Sequence, residues 1–221
     1  VALGQSIALG TCAGFGTLFP ALFGGTNLFE GTGLILLTGV CITLAGIAVI
    51  GYAGSLRARN MFRGEWAQAV STLKAHLAMP QAVWRDERCA SMRYIARCLR
   101  RLEREDEAAL WLHRAIAEAP HLREPYLEFA DLLYQQKDWC GVIFMVNCAL
   151  AITERPRTYI CEPFAWGSFP YDLLSIAYFH LSQWESALKN AEKAFALAPD
   201  DARLQENCAL LRAKIQKESR I

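Results

Sequence analysis

At 221 residues with 23 basic and 22 acidic side chains, the chain can hold one or two domains. It is too nearly neutral for charge alone to imply nucleic acid or a strongly charged partner. The charge is unevenly placed: Glu30 is the only charged side chain before Arg57, and 23 basic and 21 acidic residues follow from there. None of the eight cysteines forms a Cys-x-x-Cys pair and the four histidines are scattered, so the spacing of a zinc site is absent. The cysteines read as buried free thiols of a reducing compartment rather than as a disulfide framework.

The first element is a charge-free segment from Val1 to Phe23, loosened by Gly4, Gly10, Gly14, Gly16 and Pro20. GGTNLFEGTG follows with the composition of a turn. Leu34–Ala53, LILLTGVCITLAGIAVIGYA, is then long enough for the about 20 apolar residues that a bilayer-spanning helix needs. Glycines in such helices let a neighbour pack closely. Residues 1–56 are therefore expected to form a transmembrane helical hairpin contacting membrane lipid rather than buried helices of a soluble protein, which would not show two such uncharged runs, with two arrangements open. Both segments span, or the second spans while the first lies in the interface.

Arg57, Arg59 and Arg63 follow directly, and the positive-inside rule puts that flank in the cytoplasm. The expected location is the cytoplasmic (inner) membrane, with everything behind the hairpin facing the cytoplasm. A secretory signal is a poor fit without a basic leading region. The opening on Val1 points to an internal part of a longer product, or to processing.

GQSIALGTCAGFGTLFPALFGG and GLILLTGVCITLAGIAVIGYAGSLRARNM together resemble a helix pair of the L-rhamnose–proton symporters of the drug/metabolite transporter type, over about residues 1–61. The resemblance implies a piece of a transporter rather than a transporter. A substrate pathway needs several helices and repeats, and neither segment offers an intramembrane ionisable residue to carry a proton.

Residues 57–84 read as a linker and leading helix. From there the apolar residues recur at helical spacing with a repeat of 34. The first copy places Met92, Ile95, Ala96, Leu99, Ala108, Leu112 and Ala115 at matching positions. The second places Tyr126, Phe129, Ala130, Leu133, Val142, Val146 and Ala149. The third, 45 residues on, places Tyr171, Leu174, Ser175, Tyr178, Ala187, Ala191 and Ala194.

This is the tetratricopeptide pattern of large, small and aromatic positions, expected over 85–221. An insert lies near 154–170, where Pro156, Pro163, Gly167 and Pro170 forbid a continuous helix. Asp201 to Lys217 reads as a polar-faced capping helix. The expected fold is all-α: a two-helix hairpin, then a solenoid of about three helix pairs and a cap. Trp111, Trp139, Trp166 and Trp184 read as packing residues.

AVWRDERCASMRYIARCLRRL, HLREPYLEFADLLYQQKDW, ERPRTYICEPFAWGSFPYDLLSIAYFHL and LAPDDARLQEN resemble the helical-repeat region that follows family 2 glycosyltransferase domains. The resemblance covers about residues 73–210. It implies a repeat domain working beside a glycosyltransferase partner, without the transferase itself: no Asp-x-Asp metal motif and no strand-rich nucleotide-binding segment is present.

In such repeats the first helix of each pair lines the concave face. The candidate binding residues there are Arg93, Arg97 and Arg100, then Asp131 and Tyr134, then Asp172 and Phe179. Arg93, Arg97 and Arg100 share one helical face suited to gripping a carboxylate or phosphate. Alternatively they pair with Glu128, Asp131 or solvent, the usual fate of a charged helix face. Glu162 and Asp172 flank the insert, but no nucleophile or base stands beside them to suggest acid–base catalysis.

No catalytic motif, cofactor or metal is indicated. The expected function is a membrane-anchored scaffold holding a protein or peptide partner in its groove. The alternatives are an accessory tail of a glycosyltransferase system, or a fusion of a symporter fragment with a repeat fragment.

Overall fold

The computed structural model describes residues 64–218 and scattered positions between 34 and 52. The chain divides into two units, Val1–Thr72 and Leu73–Ile221. Among the described residues every regular element is helical.

In the first unit, the described positions between 34 and 52 are all helical. Thr38 and Thr43 donate their hydroxyls to the carbonyls of Leu34 and Gly39 at 2.9 and 2.8 Å, which satisfies them within an apolar helix. Among the described residues no helix is long and apolar enough to cross a membrane. The first segment of the expected hairpin, its turn and the arginine flank fall at residues 1–33 and 53–63, outside the described residues. Helix α1 (Trp66–Ala78) crosses the division between the units.

The second unit is three antiparallel helix pairs and a cap. They are α2 (Arg85–Arg101) with α3 (Glu105–Glu118), α4 (Glu124–Gln135) with α5 (Trp139–Ala151), and α6 (Phe169–His180) with α7 (Trp184–Leu197). Helix α8 (Ala202–Glu218) packs on α7. The sequence sets these boundaries by several devices. Asp86 and Glu87 open α2 and Arg100 and Arg101 close it, each charge matched to its end of the helix dipole. Pro125 and Pro170 sit in the first turns of α4 and α6, where a missing N–H costs nothing. Asp138 accepts from the Gly141 N–H at 2.9 Å as the N-cap of α5, satisfying an orphan donor.

The turns inside the three pairs are copies of one another. Glu103, Lys137 and Ser182 all take positive φ, near 60°. Each donates to the carbonyl three residues back (Arg100, Tyr134, Phe179). The residue after each donates five back, to Leu99, Leu133 and Tyr178, at 2.9–3.0 Å. This is a Schellman closure, the usual way a helix ends in a left-handed residue. The offsets between the three positive-φ residues are 34 and 45, the same offsets as the sequence repeat. Gly64 (φ 73°) comes two residues before Trp66, just as Lys137 and Ser182 come two before Trp139 and Trp184.

The signature positions form the core. Those of the first copy are all buried, as are Ala130, Val142, Val146, Ala149, Leu174, Ala187, Ala191 and Ala194. Alanine at the crossings lets the helix backbones approach, and the large residues of the neighbouring pair fill the remaining space. One cluster joins Leu127, Ala130, Val142, Val146 and Ala149 of the second pair to Leu173, Leu174 and Ala177 of the third. The cap buries Cys208 and Leu211 against Ala187 and Ala191. Beside this contact Arg212 pairs with Glu192 of α7, and Lys214 pairs with Glu218 and lies over the Trp184 ring, a polar border to the end of the stack.

The insert runs between α5 and α6 and contains only a 3-10 turn, Pro163–Trp166. Arg123 fixes it at two places. Its Nε donates to the Ile152 carbonyl at 2.8 Å, and its guanidinium lies 3.7 Å from the centre of the Trp166 ring. The described cysteines are all free thiols.

Candidate binding groove

The first helices of the pairs contact one another directly, α2 with α4 and α4 with α6. One face of the stack is therefore built from α2, α4 and α6, the helices carrying all seven candidate residues. The structure sorts these residues into two groups.

The first group is an ion cluster. Arg93, only 1 % exposed, donates from Nε to Glu128 Oε1 at 2.6 Å and from Nη2 to Glu162 Oε1 at 2.5 Å. Arg97 donates to both oxygens of Glu128, at 3.1 and 2.7 Å, and to both oxygens of Glu162, at 3.1 Å each. Arg100 pairs with Asp131 at 2.7 Å. The three arginines thus share one helical face, and carboxylates of this chain already hold them. Arg93 lies beneath the insert rather than on an open surface.

Burial works against charge on Arg93 and Arg97. Glu128 and Glu162 outweigh it, and both guanidiniums titrate above their ordinary range. Burial likewise opposes ionisation of Glu162, but the two arginines prevail and hold its carboxyl below the usual value. Taking such charges out of water is costly unless their hydrogen bonds are nearly complete. Here they are incomplete at one buried atom of the cluster, Arg93 Nη1.

The second group is aromatic. Tyr134 meets Trp139 edge-on at 5.8 Å, and Trp139 stacks flat on His180 at 3.9 Å. His180 touches Phe179, and Phe179 touches Trp184 at 5.2 Å. Phe179 is 42 % exposed, so the ladder keeps apolar surface toward solvent. Asp172 sits apart from the ladder, bound by both oxygens to Arg203 of the cap at 3.2 and 2.8 Å.

Sequence reading missed Glu124, Trp84 and Tyr159. The Glu162 main-chain N–H donates to Glu124 Oε1 at 2.9 Å, and Trp84 meets Tyr159 edge-on at 5.6 Å. Glu124 resembles any acid in a first helical turn, and nothing in the repeat spacing brings the insert back to α2. Glu162 flanks the insert in the sequence, but its partners 65 and 69 residues away carry no sequence signal.

These groups can bind but offer no pair suited to proton transfer, since each carboxylate of the cluster is neutralised by an arginine. Among the described residues no His, Cys, Asp and Glu cluster could hold a metal ion.

No family model and no curated protein sequence matches this chain. Solved structures do resemble it. The MamA structure covering residue 41 to the end, from Desulfovibrio magneticus RS-1, aligns with a TM-score of 0.58 at 15% identity, over 75% of this chain and 84% of that one. Another MamA crystal structure gives 0.55 at 13%, over 72% and 79%. BtubC (BKLC) from P. vanneervenii gives 0.57 at 14%, over 96% and 83%. At such identities the likeness shows the all-helical repeat fold alone.

Proposed function

We propose that the chain is a helical-repeat scaffold that binds a protein partner along the face of α2, α4 and α6. The observation that carries this reading is the exposed aromatic ladder at the junction of the second and third pairs. It links Tyr134, Phe179 and His180 at the ends of α4 and α6 to Trp139 and Trp184 at the starts of α5 and α7, and Phe179 leaves apolar surface toward solvent. Rigid aromatics on a repeat face provide contact area at low entropic cost, and they are enriched where proteins meet. The resemblance of residues 73–210 to repeats that follow family 2 glycosyltransferase domains supports such an enzyme as the partner.

The scaffold is held at the cytoplasmic membrane by residues 1–56. This is supported by the hydropathy of Leu34–Ala53 and by the exposed Leu34, Ile35, Ile42 and Tyr52, large apolar side chains suited to lipid. The anchor is tested by fractionation. The full chain stays with membranes until detergent is added, and its recovery in the soluble fraction contradicts the anchor.

The scaffold is tested by capture with the detergent-purified full chain, wild type beside Tyr134→Ala/Phe179→Ala. Partners held by the wild type and lost by the double variant, with helical content unchanged, support the groove. Equal capture by both contradicts it.

A further inference from the structure

The insert treats the groove as a peptide ligand would. Glu162 is extended (φ −90°, ψ 136°), its carboxylate lies between Arg93 and Arg97, and its main-chain N–H is held by Glu124. Three residues earlier Tyr159 meets Trp84 at the start of α2, and Ile160 between them is buried. Side chain, backbone and flanking aromatic are gripped by Arg93 and Arg97, by Glu124 and by Trp84 respectively. The segment is a turn, the Cys161 N–H donating to the Thr158 carbonyl at 3.2 Å, so side chains on both sides of one tight turn are held together with a main-chain N–H.

The grip is also unsaturated. Arg93, 1 % exposed, keeps its Nη1 without a partner, while the Cys161 thiol of the insert hydrogen-bonds the Glu124 carboxylate. Natural interiors rarely leave such atoms unmatched. A segment that fits this cleft fully has one arginine donor still to meet.

We propose that the cleft formed by Arg93, Arg97, Glu124 and Trp84 is a binding subsite for a turn-forming partner segment of pattern aromatic–aliphatic–x–acidic. In the free chain the subsite is occupied by the chain's own Tyr159–Glu162. This rests on the scaffold reading and adds the chemistry of the partner and its regulation. The insert is a tethered competitor, and tethering gives it a high effective concentration. A partner segment enters only when it outbids that concentration, or when Glu162 is released.

The test is fluorescence anisotropy of a labelled peptide with the sequence of residues 157–163, RTYICEP, against the full chain in detergent. Three chains are compared: wild type, Glu162→Ala and Glu162→Gln. The Glu162→Gln variant keeps the shape of the side chain, so a folding defect in Glu162→Ala does not remove the test. Both variants are expected to bind the peptide at least tenfold more tightly than the wild type. Adding Arg97→Ala abolishes the gain, and a peptide with its glutamate replaced by glutamine binds more weakly. Equal binding by wild type and folded variants, or a gain indifferent to Arg97, overturns the proposal. Loss of the capture described above under Tyr134→Ala/Phe179→Ala is read separately, so a groove that binds partners without this subsite is recognised as such.

Discussion

Glu124 and Glu162 meet through the backbone: the Glu162 main-chain N–H donates to Glu124 Oε1 at 2.9 Å across 38 residues of chain. With the Glu162 carboxylate between Arg93 and Arg97, this bond pins an irregular insert to a regular stack. The insert therefore closes the first part of the groove and leaves the aromatic ladder open.

The arginines hold the folded-state pKa of Glu162 below its ordinary value of 4.5. A depressed carboxyl stabilises the fold fully above its unfolded pKa, and that stabilisation is lost as pH falls through the folded value. Wild type is therefore expected to exceed Glu162→Gln by about 1 kcal/mol at pH 7, a hydrogen-bonded ion pair discounted for partial exposure. The difference should hold down to about pH 5 and shrink below pH 4.5. Urea denaturation at several pH values checks it.

Glu128 serves two arginines, one of them buried. Removing it leaves Arg93 without a counter-charge on α4, and breaking a buried pair from one side costs about 3–5 kcal/mol. Glu128→Ala is expected at that level. Arg93→Met removes the buried charge and leaves Arg97 to serve both carboxylates, so it should cost clearly less. Adding Arg93→Met to Glu128→Ala should restore part of the loss. A double-mutant cycle by denaturation reads the coupling.

Glu103, Lys137 and Ser182 hold a left-handed backbone that glycine adopts freely, and all three side chains are exposed. Lys137→Gly and Ser182→Gly should each stabilise the domain by about 0.5–1 kcal/mol. Relief of a left-handed cost of roughly 1–2 kcal/mol exceeds the added entropy of the unfolded glycine. Thermal unfolding of each variant measures it.

Burial pushes the Cys89 thiol up to about 12, and its sulfur is fully covered by the first pair. Thiolate is the reactive form. At pH 8 a maleimide should label the exposed Cys140 well before Cys89, which reacts only on unfolding. Mass spectrometry of timed digests distinguishes the two.

The pairs were legible because their cause is local and periodic. Ala108, Leu112 and Ala115 announce one helical face, and the same pattern returns in Val142, Val146 and Ala149. The insert was visible as a break, since prolines forbid a helix there. Its destination was not visible. Glu162 meets Arg93 and Arg97 of α2 while Arg123 pins the insert at Ile152 and Trp166, a tertiary arrangement with no period. For the same reason Arg93 read as a groove residue when it is covered. The left-handed turn residues carried no signal either, because Glu, Lys and Ser stand where glycine would have marked the turn.

The central claim, that a partner lies along α2, α4 and α6, is tested most directly by photo-crosslinking in cells from two positions. A benzophenone side chain replaces Phe179 on the ladder or Phe144, 63 % exposed on the second helix of its pair. The scaffold account predicts a discrete protein adduct from position 179 that is absent from position 144. No adduct at 179, or the same adducts from both positions, would contradict it.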